Sequence, residues 1–179
     1  MFSQAQTITV LTANAAGNTH EDINAVLAPN GGDVIEAPGI TPVDCTNHDD
    51  FNNGETANTN RHIQEVYDNT LSKDVFKFSL HVNEDIDRDK CSSDDRQRNE
   101  IKTYAPSPDY LLGVLGETVE YKWKFKLSEG FQASSSFTHI HQLKSVGGIT
   151  AEESLPLIAL TAYSSNCLLY TSPSPRDRG

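Results

Sequence analysis

Two short runs concentrate the side chains that could do chemistry. They are Arg96-Gln97-Arg98-Asn99-Glu100-Ile101-Lys102 and Phe137-Thr138-His139-Ile140-His141-Gln142. Each reads as a strand with polar side chains at every second position. Successive strand residues point to opposite faces, so Arg96, Arg98, Glu100 and Lys102 share one face. By the same period His139 and His141 share a face, with Thr138, Ile140 and Gln142 opposite. Guanidinium and ammonium groups hold carboxylates, and an imidazole can take a proton near neutrality. If the two strands are neighbours, the combination suits an anionic substrate. The plainer alternatives are a cross-strand ion-pair row on a solvated face and two histidines satisfied by hydrogen bonds within a sheet.

The totals bound what these runs can serve. At 179 residues the chain fits one domain with a real hydrophobic core. The composition, 36% apolar and 22% charged, is that of a globular protein, and no apolar run is long enough to span a membrane. A net charge of -11 argues against a nucleic-acid binder, whose footprint is basic overall. Any polyanion site must therefore be a local cationic patch on an acidic chain. No Cys-x-x-Cys or mixed Cys/His spacing is present, so zinc is not expected. Cys45 and Cys91 both sit in polar, loop-like settings. That leaves a disulfide between them, in an oxidising compartment, and two free thiols as equal alternatives. The first residues, Met1-Phe2-Ser3-Gln4-Ala5-Gln6, form no whole signal peptide, although they fit the remnant of one.

The elements that must position the two runs are mostly strands. Thr7-Ile8-Thr9-Val10-Leu11 is a short β-branched strand. A helix then starts at Thr19 as N-cap, with Glu21 and Asp22 in the first turn. Ile23, Val26 and Leu27 supply its apolar face, and Pro29-Asn30-Gly31-Gly32 stops it. Val34-Ile35-Glu36-Ala37 is a brief strand, and residues 41–60 read as a long polar surface loop, including His48, Asp49 and Asp50. Residues 62–68 and 75–82 alternate and, joined by Asn69-Thr70-Leu71-Ser72-Lys73, predict an antiparallel pair. The acidic stretch 83–95 lacks the glycine and closing glutamate of an EF-hand loop. No cofactor is expected, and a structural calcium held there in some other way is left open. Residues 118–127 alternate cleanly, with Val119, Tyr121, Trp123, Phe125 and Leu127 predicted to face the core and Lys122, Lys124 and Lys126 to face solvent. The histidine strand and a last strand at 155–162 follow. One short N-terminal helix among many strands makes the class all-β, a sandwich or jelly roll.

The end of the chain breaks the pattern. Residues 167–179, Cys-Leu-Leu-Tyr-Thr-Ser-Pro-Ser-Pro-Arg-Asp-Arg-Gly, look like translated read-through of a sequencing-library adaptor. Without them the cysteine count is even, and 12 basic against 24 acidic residues give a net charge of -12. The expected organisation is an incomplete domain over residues 1–166 and a non-native tail over 167–179, with late strands missing.

With both strands placed, the chain resembles the jelly-roll polysaccharide lyases, the broad group of alginate lyases and fungal glucuronan lyases. The alginate-lyase pattern has an Arg-x-Glu-Leu-Arg strand and a Gln-Ile-His strand. Arg98-Asn99-Glu100-Ile101-Lys102 matches the first with Lys in the closing position, and His139-Ile140-His141 matches the second with His in place of Gln. Residues 81–148 and the opening Leu27-Ala28-Pro29 … Val34-Ile35-Glu36-Ala37-Pro38 are more similar to the glucuronan-lyase branch.

The resemblance implies a jelly-roll β-sandwich of concanavalin-like type, secreted and monomeric, that cleaves an anionic uronate polysaccharide by β-elimination. It implies no nucleic-acid or membrane partner. The reaction needs the C6 carboxylate neutralised, a base for the C5 proton and an acid for the departing O4. By position, Arg98 and Lys102 would hold substrate carboxylates, with Arg96 and Gln142 also lining the substrate. Glu100 would orient the cations, His139 would stand for the carboxylate-neutralising Gln, and His141 would be the base. The family's catalytic Tyr lies in a late Tyr-x-Lys-x-Gly-x-Tyr-like strand with no counterpart here. Tyr104 and Tyr121 are the nominees left, neither matched by a motif. The alternative is a carbohydrate-binding jelly roll without catalysis. A glycoside hydrolase ranks last, since no strand carries the opposed carboxylates it needs.

Overall fold

The computed structural model describes residues 7–14, 19–37, 61–80, 98–114, 116–145, 156–164 and 167–171. Arg96, Cys45 and Cys91, the polar loop 41–60 and the acidic stretch 83–95 lie outside the described residues. So do the predictions made for them, the disulfide and the calcium included. The described chain is mostly strands in small antiparallel sheets with one α-helix, and it divides into two compact units, 1–120 and 121–179. By sequence the first carries 8 basic and 21 acidic residues and the second 6 and 4, so nearly all the acidity belongs to the first.

In the first unit, α1 (Thr19–Leu27) turns Ile23 and Leu27 inward, as the spacing predicts. Thr19 differs from its predicted role as a cap. It is the first helical residue, and its Oγ1 accepts a hydrogen bond from the Glu65 amide, tying the helix start to a strand. After the helix, Gly31 and Gly32 both take positive φ, and a Cβ on Gly32 would lie 2.6 Å from the Pro106 ring. Backbone hand and close approach together demand glycine there.

β1 (Ile35–Glu36) pairs with β4 (Glu100–Ile101), and β2 (Ile63–Asp68) pairs with β3 (Lys73–Phe78) in the predicted hairpin. Asp68 builds the hairpin turn: its Oδ1 accepts from the amides of Thr70 and Leu71, and Ser72 adopts a left-handed φ of 52°. Ile23, Leu27, Ala28, Val34, Ile35, Ala37 and Ile63 form one buried core, with Phe76 and Ile101 packed on it.

The predicted strand at Thr7-Ile8-Thr9-Val10-Leu11 joins no ladder among the described residues, and Ile8 and Val10 are exposed. A short β-branched run supplies propensity, but a strand also needs a partner edge.

The second unit is a three-stranded sheet, β5 (Thr138–Lys144), β6 (Pro156–Tyr163) and β7 (Cys167–Thr171), in the order β5-β6-β7. β6 matches the predicted last strand within a residue. β7 shows that the first five residues of the segment set aside as a tail do pair, Cys167 opposite Tyr163 and Thr171 opposite Ala159. Leu168, Leu169 and Tyr170 suit a pleated edge, and an unpaired edge accepts any such run.

Residues 118–127 depart most from expectation. They run extended but join no ladder among the described residues, and Val119, Tyr121, Trp123, Phe125 and Leu127 are all exposed. Alternation fixes that these side chains share a face. It does not supply the sheet that would cover them.

Candidate functional site

The charged row of the first unit keeps its predicted face. Ile101 packs inward on the core while Arg98, Glu100 and Lys102 meet on the other side. What they meet is Glu36 on β1. The β1–β4 register sets Glu36 directly opposite Glu100, a like-charge pairing that would destabilise the ladder alone. Arg98 Nη1 bridges the two carboxylates, 2.8 Å from Glu100 and 3.5 Å from Glu36, and Lys102 Nζ pairs with Glu36. Burial raises the Glu100 carboxyl above its usual value, helped by a hydrogen bond with Glu36 and opposed by Arg98. The row is thus two cations and two carboxyls holding one another.

Two further residues fix this corner. Asn99 Nδ2 donates to the backbone carbonyls of His62 and Ser79 at 2.9 and 2.6 Å, pinning β4 to the hairpin. Tyr104 donates its hydroxyl to the Asp33 carbonyl at 2.8 Å, and its ring lies 4.7 Å from Lys102 Nζ. Its proton is committed to the backbone.

The histidine strand corrects a prediction. His139 pairs with Thr161 but His141 pairs with Leu160, so Ile140 is an extra residue at a β-bulge. Thr161 and Leu160 are adjacent on β6 and point to opposite faces. The same must hold for His139 and His141, which therefore do not share a face. Their neighbours agree. His139 Nδ1 lies 2.8 Å from Thr161 Oγ1, with its ring 4.6 Å from Phe137, two residues back on the same side. His141 instead sits 4.8 Å from Trp123 and 6.4 Å from Tyr121, ring centre to ring centre. Gln142 lies opposite Ala159, on the His139 side.

Burial lowers the pKa of both imidazoles below 6.5, so each is neutral at neutral pH. A neutral imidazole has a lone pair for a proton, and the His141 ring neighbours a phenol and an indole. That grouping of His141, Tyr121 and Trp123 could combine proton abstraction, proton donation and stacking on a sugar ring. The alternation of residues 118–127 predicts Tyr121 and Trp123 as core residues, and their exposure marks them otherwise.

Of the predicted site residues, Arg98, Glu100 and Lys102 belong to one unit and His139, His141 and Gln142 to the other. Among the described residues no group of three or more His, Cys, Asp or Glu side chains is arranged to hold a metal ion, and no helix is long and apolar enough to cross a membrane. Comparison with protein-family models, curated proteins and solved structures gave no match.

Proposed function

We propose that this chain acts on an anionic, uronate-containing polysaccharide of glucuronan or alginate type and cleaves it by β-elimination. The reading includes a secreted protein and a jelly-roll sandwich, as the motif resemblance implies. The observation that carries it is the neutral His141 imidazole set against Tyr121 and Trp123 on the less acidic unit.

In this reading His141 takes the C5 proton, the electron pair forms the C4–C5 double bond, and the C4–O4 bond breaks. Tyr121 gives its hydroxyl proton to the departing O4, and Trp123 stacks on the ring being cleaved. Where the C5 proton and O4 leave from the same face of the sugar, base and acid must stand side by side, and Tyr121 and His141 are neighbouring rings.

A second reading has its own support. The bulge turns His139 away from His141, and Arg98 and Lys102 already hold carboxylates of the chain itself. A protein that binds the polymer without cleaving it needs no carboxylate-neutralising group beside His141.

Ultraviolet absorbance of the unsaturated uronate product, followed on polyglucuronate and alginate, separates the two. The lyase reading expects a rising signal that falls by about 10²- to 10⁴-fold in His141→Ala. Its kcat/KM should rise with pH along an acid limb below pH 6.5 and then level, because His141 titrates below that value. A flat trace on both polymers with retained binding leaves the non-catalytic module.

A further inference from the structure

The exposed stretch beside His141 is longer than the reaction needs. In the extended run from Tyr121, rings recur at every second position, Tyr121, Trp123 and Phe125, and all are exposed. Alternate residues of an extended chain stand about 6.6 Å apart, a spacing of the same order as one pyranose residue. The Trp123 and Phe125 rings lie 5.3 Å apart and tilted by 46°, a broken surface rather than a stacked pair. Lys122, Lys124 and Lys126 alternate with the rings and are exposed on the other side. A single extended chain is thin, so these ammonium groups lie within about a Debye length, ~8 Å at physiological salt, of a ligand on the ring face. This cationic segment belongs to the less acidic unit, on a chain whose net charge is -11. The charge sign selects an anionic occupant, and exposed aromatic faces select one with flat apolar C–H surfaces.

We propose that Tyr121, Trp123 and Phe125 form a docking track for the anionic polysaccharide chain. The track begins with the residue at His141, against Tyr121 and Trp123, and continues along Phe125 to the next uronate, while Lys122, Lys124 and Lys126 steer the polymer in. The identity of the polymer rests on the reading of function above; the track itself does not require cleavage. Pyranose rings stack on aromatic faces without regard to linkage detail, so the track sets length preference more than sugar identity. The lysines act over distance and so affect the association rate and its salt dependence.

The test is binding of polyglucuronate and of short glucuronate oligomers to the full chain by isothermal calorimetry. Wild type should bind the polymer more tightly than the oligomers, and more weakly as salt rises. Trp123→Ala should weaken polymer binding at least ~10-fold and Phe125→Ala somewhat less. Trp123→Phe, which keeps a ring, should retain most of it. Lys124→Glu, which leaves every ring in place, should slow association and flatten the salt dependence.

His141→Ala should keep polymer binding within a few-fold while lowering formation of the unsaturated product about 10²- to 10⁴-fold. If no variant or wild type ever yields that product but binding still depends on Trp123, the cleavage reading fails and the track stands. Equal polymer affinity in wild type and Trp123→Ala overturns the track. So does a wild-type dimer in sedimentation that Phe125→Asp converts to monomer with polymer binding unchanged, because the rings would then cover a second copy of the chain.

Discussion

The Arg98–Glu100–Lys102 row and the His141 neighbourhood both lie on strands with alternating polar residues, yet they treat their polar groups in opposite ways. In the first, every charge meets a counter-charge across a two-residue ladder, and Glu36 is shared by both cations. In the second, a neutral imidazole lies beside two aromatic rings, Tyr121 and Trp123, that are themselves exposed. A charge that has its counter-ion gains little by exchanging it for a ligand's. An uncharged base among open rings has no such competitor. The difference separates a row that stabilises from a surface that can bind, although alternation in the sequence describes both equally well.

The largest effect should come from crossing the two regions by mutation. His141→Ala is expected to lower the elimination rate by about 10²- to 10⁴-fold, or roughly 3–5 kcal/mol of barrier, with an unchanged unfolding midpoint. Arg98→Ala should do the reverse, lowering stability by roughly 1–2 kcal/mol as the opposed carboxyls lose their bridge, with little change in rate. Rate assays and urea titrations on both variants check the pair. An Arg98 variant that loses rate at full stability would transfer the site to the charged row.

The next effect distinguishes the units by acid. His20 is 5% exposed, and burial, with Arg61 nearby, lowers its pKa to about 4. As pH falls below 6.5 the unfolded chain takes up a proton that folded His20 refuses until about pH 4. Stability present in full above pH 6.5 is therefore lost across that window, by roughly 3 kcal/mol at most. Hydrogen exchange should show α1 and the β2–β3 hairpin losing protection in this range. His20→Met should flatten the dependence, and an unchanged acid profile in that variant would assign the loss to other groups.

How much of this could be read from the chain depends on where the determining contact lies. The β2–β3 hairpin and α1 were legible because Asp68, the alternating apolar residues and the glycines after Leu27 act within a few positions. The face shared by Arg98, Glu100 and Lys102 was legible for the same reason. The partner Glu36 was not identified, because pairing across 64 positions leaves no local mark. The bulge at Ile140 could not be seen at all. A bulge is a mismatch between two strands, and His139-Ile140-His141 alternates perfectly when taken alone. The exposed rings of residues 121–125 show the same limit from the other side: period two tells which side chains travel together, and coverage by another element decides whether they are core.

A middling effect tests the seam of the charged corner. Asn99→Ala removes both hydrogen bonds to the His62 and Ser79 carbonyls and should cost about 1–3 kcal/mol. The loss should appear as earlier exchange at the ends of β2 and β3. Elimination or binding at the second unit should not follow it, and a matching loss there would mean that the two regions are not independent.

The smallest effect is the most discriminating about the charged row, because its sign is unusual. Glu100 has a folded-state pKa above its ordinary 4.5, raised first by burial and then by the facing Glu36. As pH rises, the unfolded carboxyl loses its proton before the folded one. Stability at this position is complete below pH 4.5 and declines as pH rises through the folded pKa. Glu100→Gln keeps the shape, an acceptor for Arg98 and a donor for Glu36, and it removes the charge that the site disfavours. It should therefore be neutral or stabilising by less than about 1 kcal/mol at pH 7, a modest figure because the side chain is 42% exposed and screened. The gain should vanish below pH 4.5, where the native carboxyl is itself neutral. Thermal denaturation of both proteins across that range measures it. A clear loss of stability at pH 7 would mean that Arg98 needs the ionised Glu100, and that the row is held by its charges rather than in spite of them.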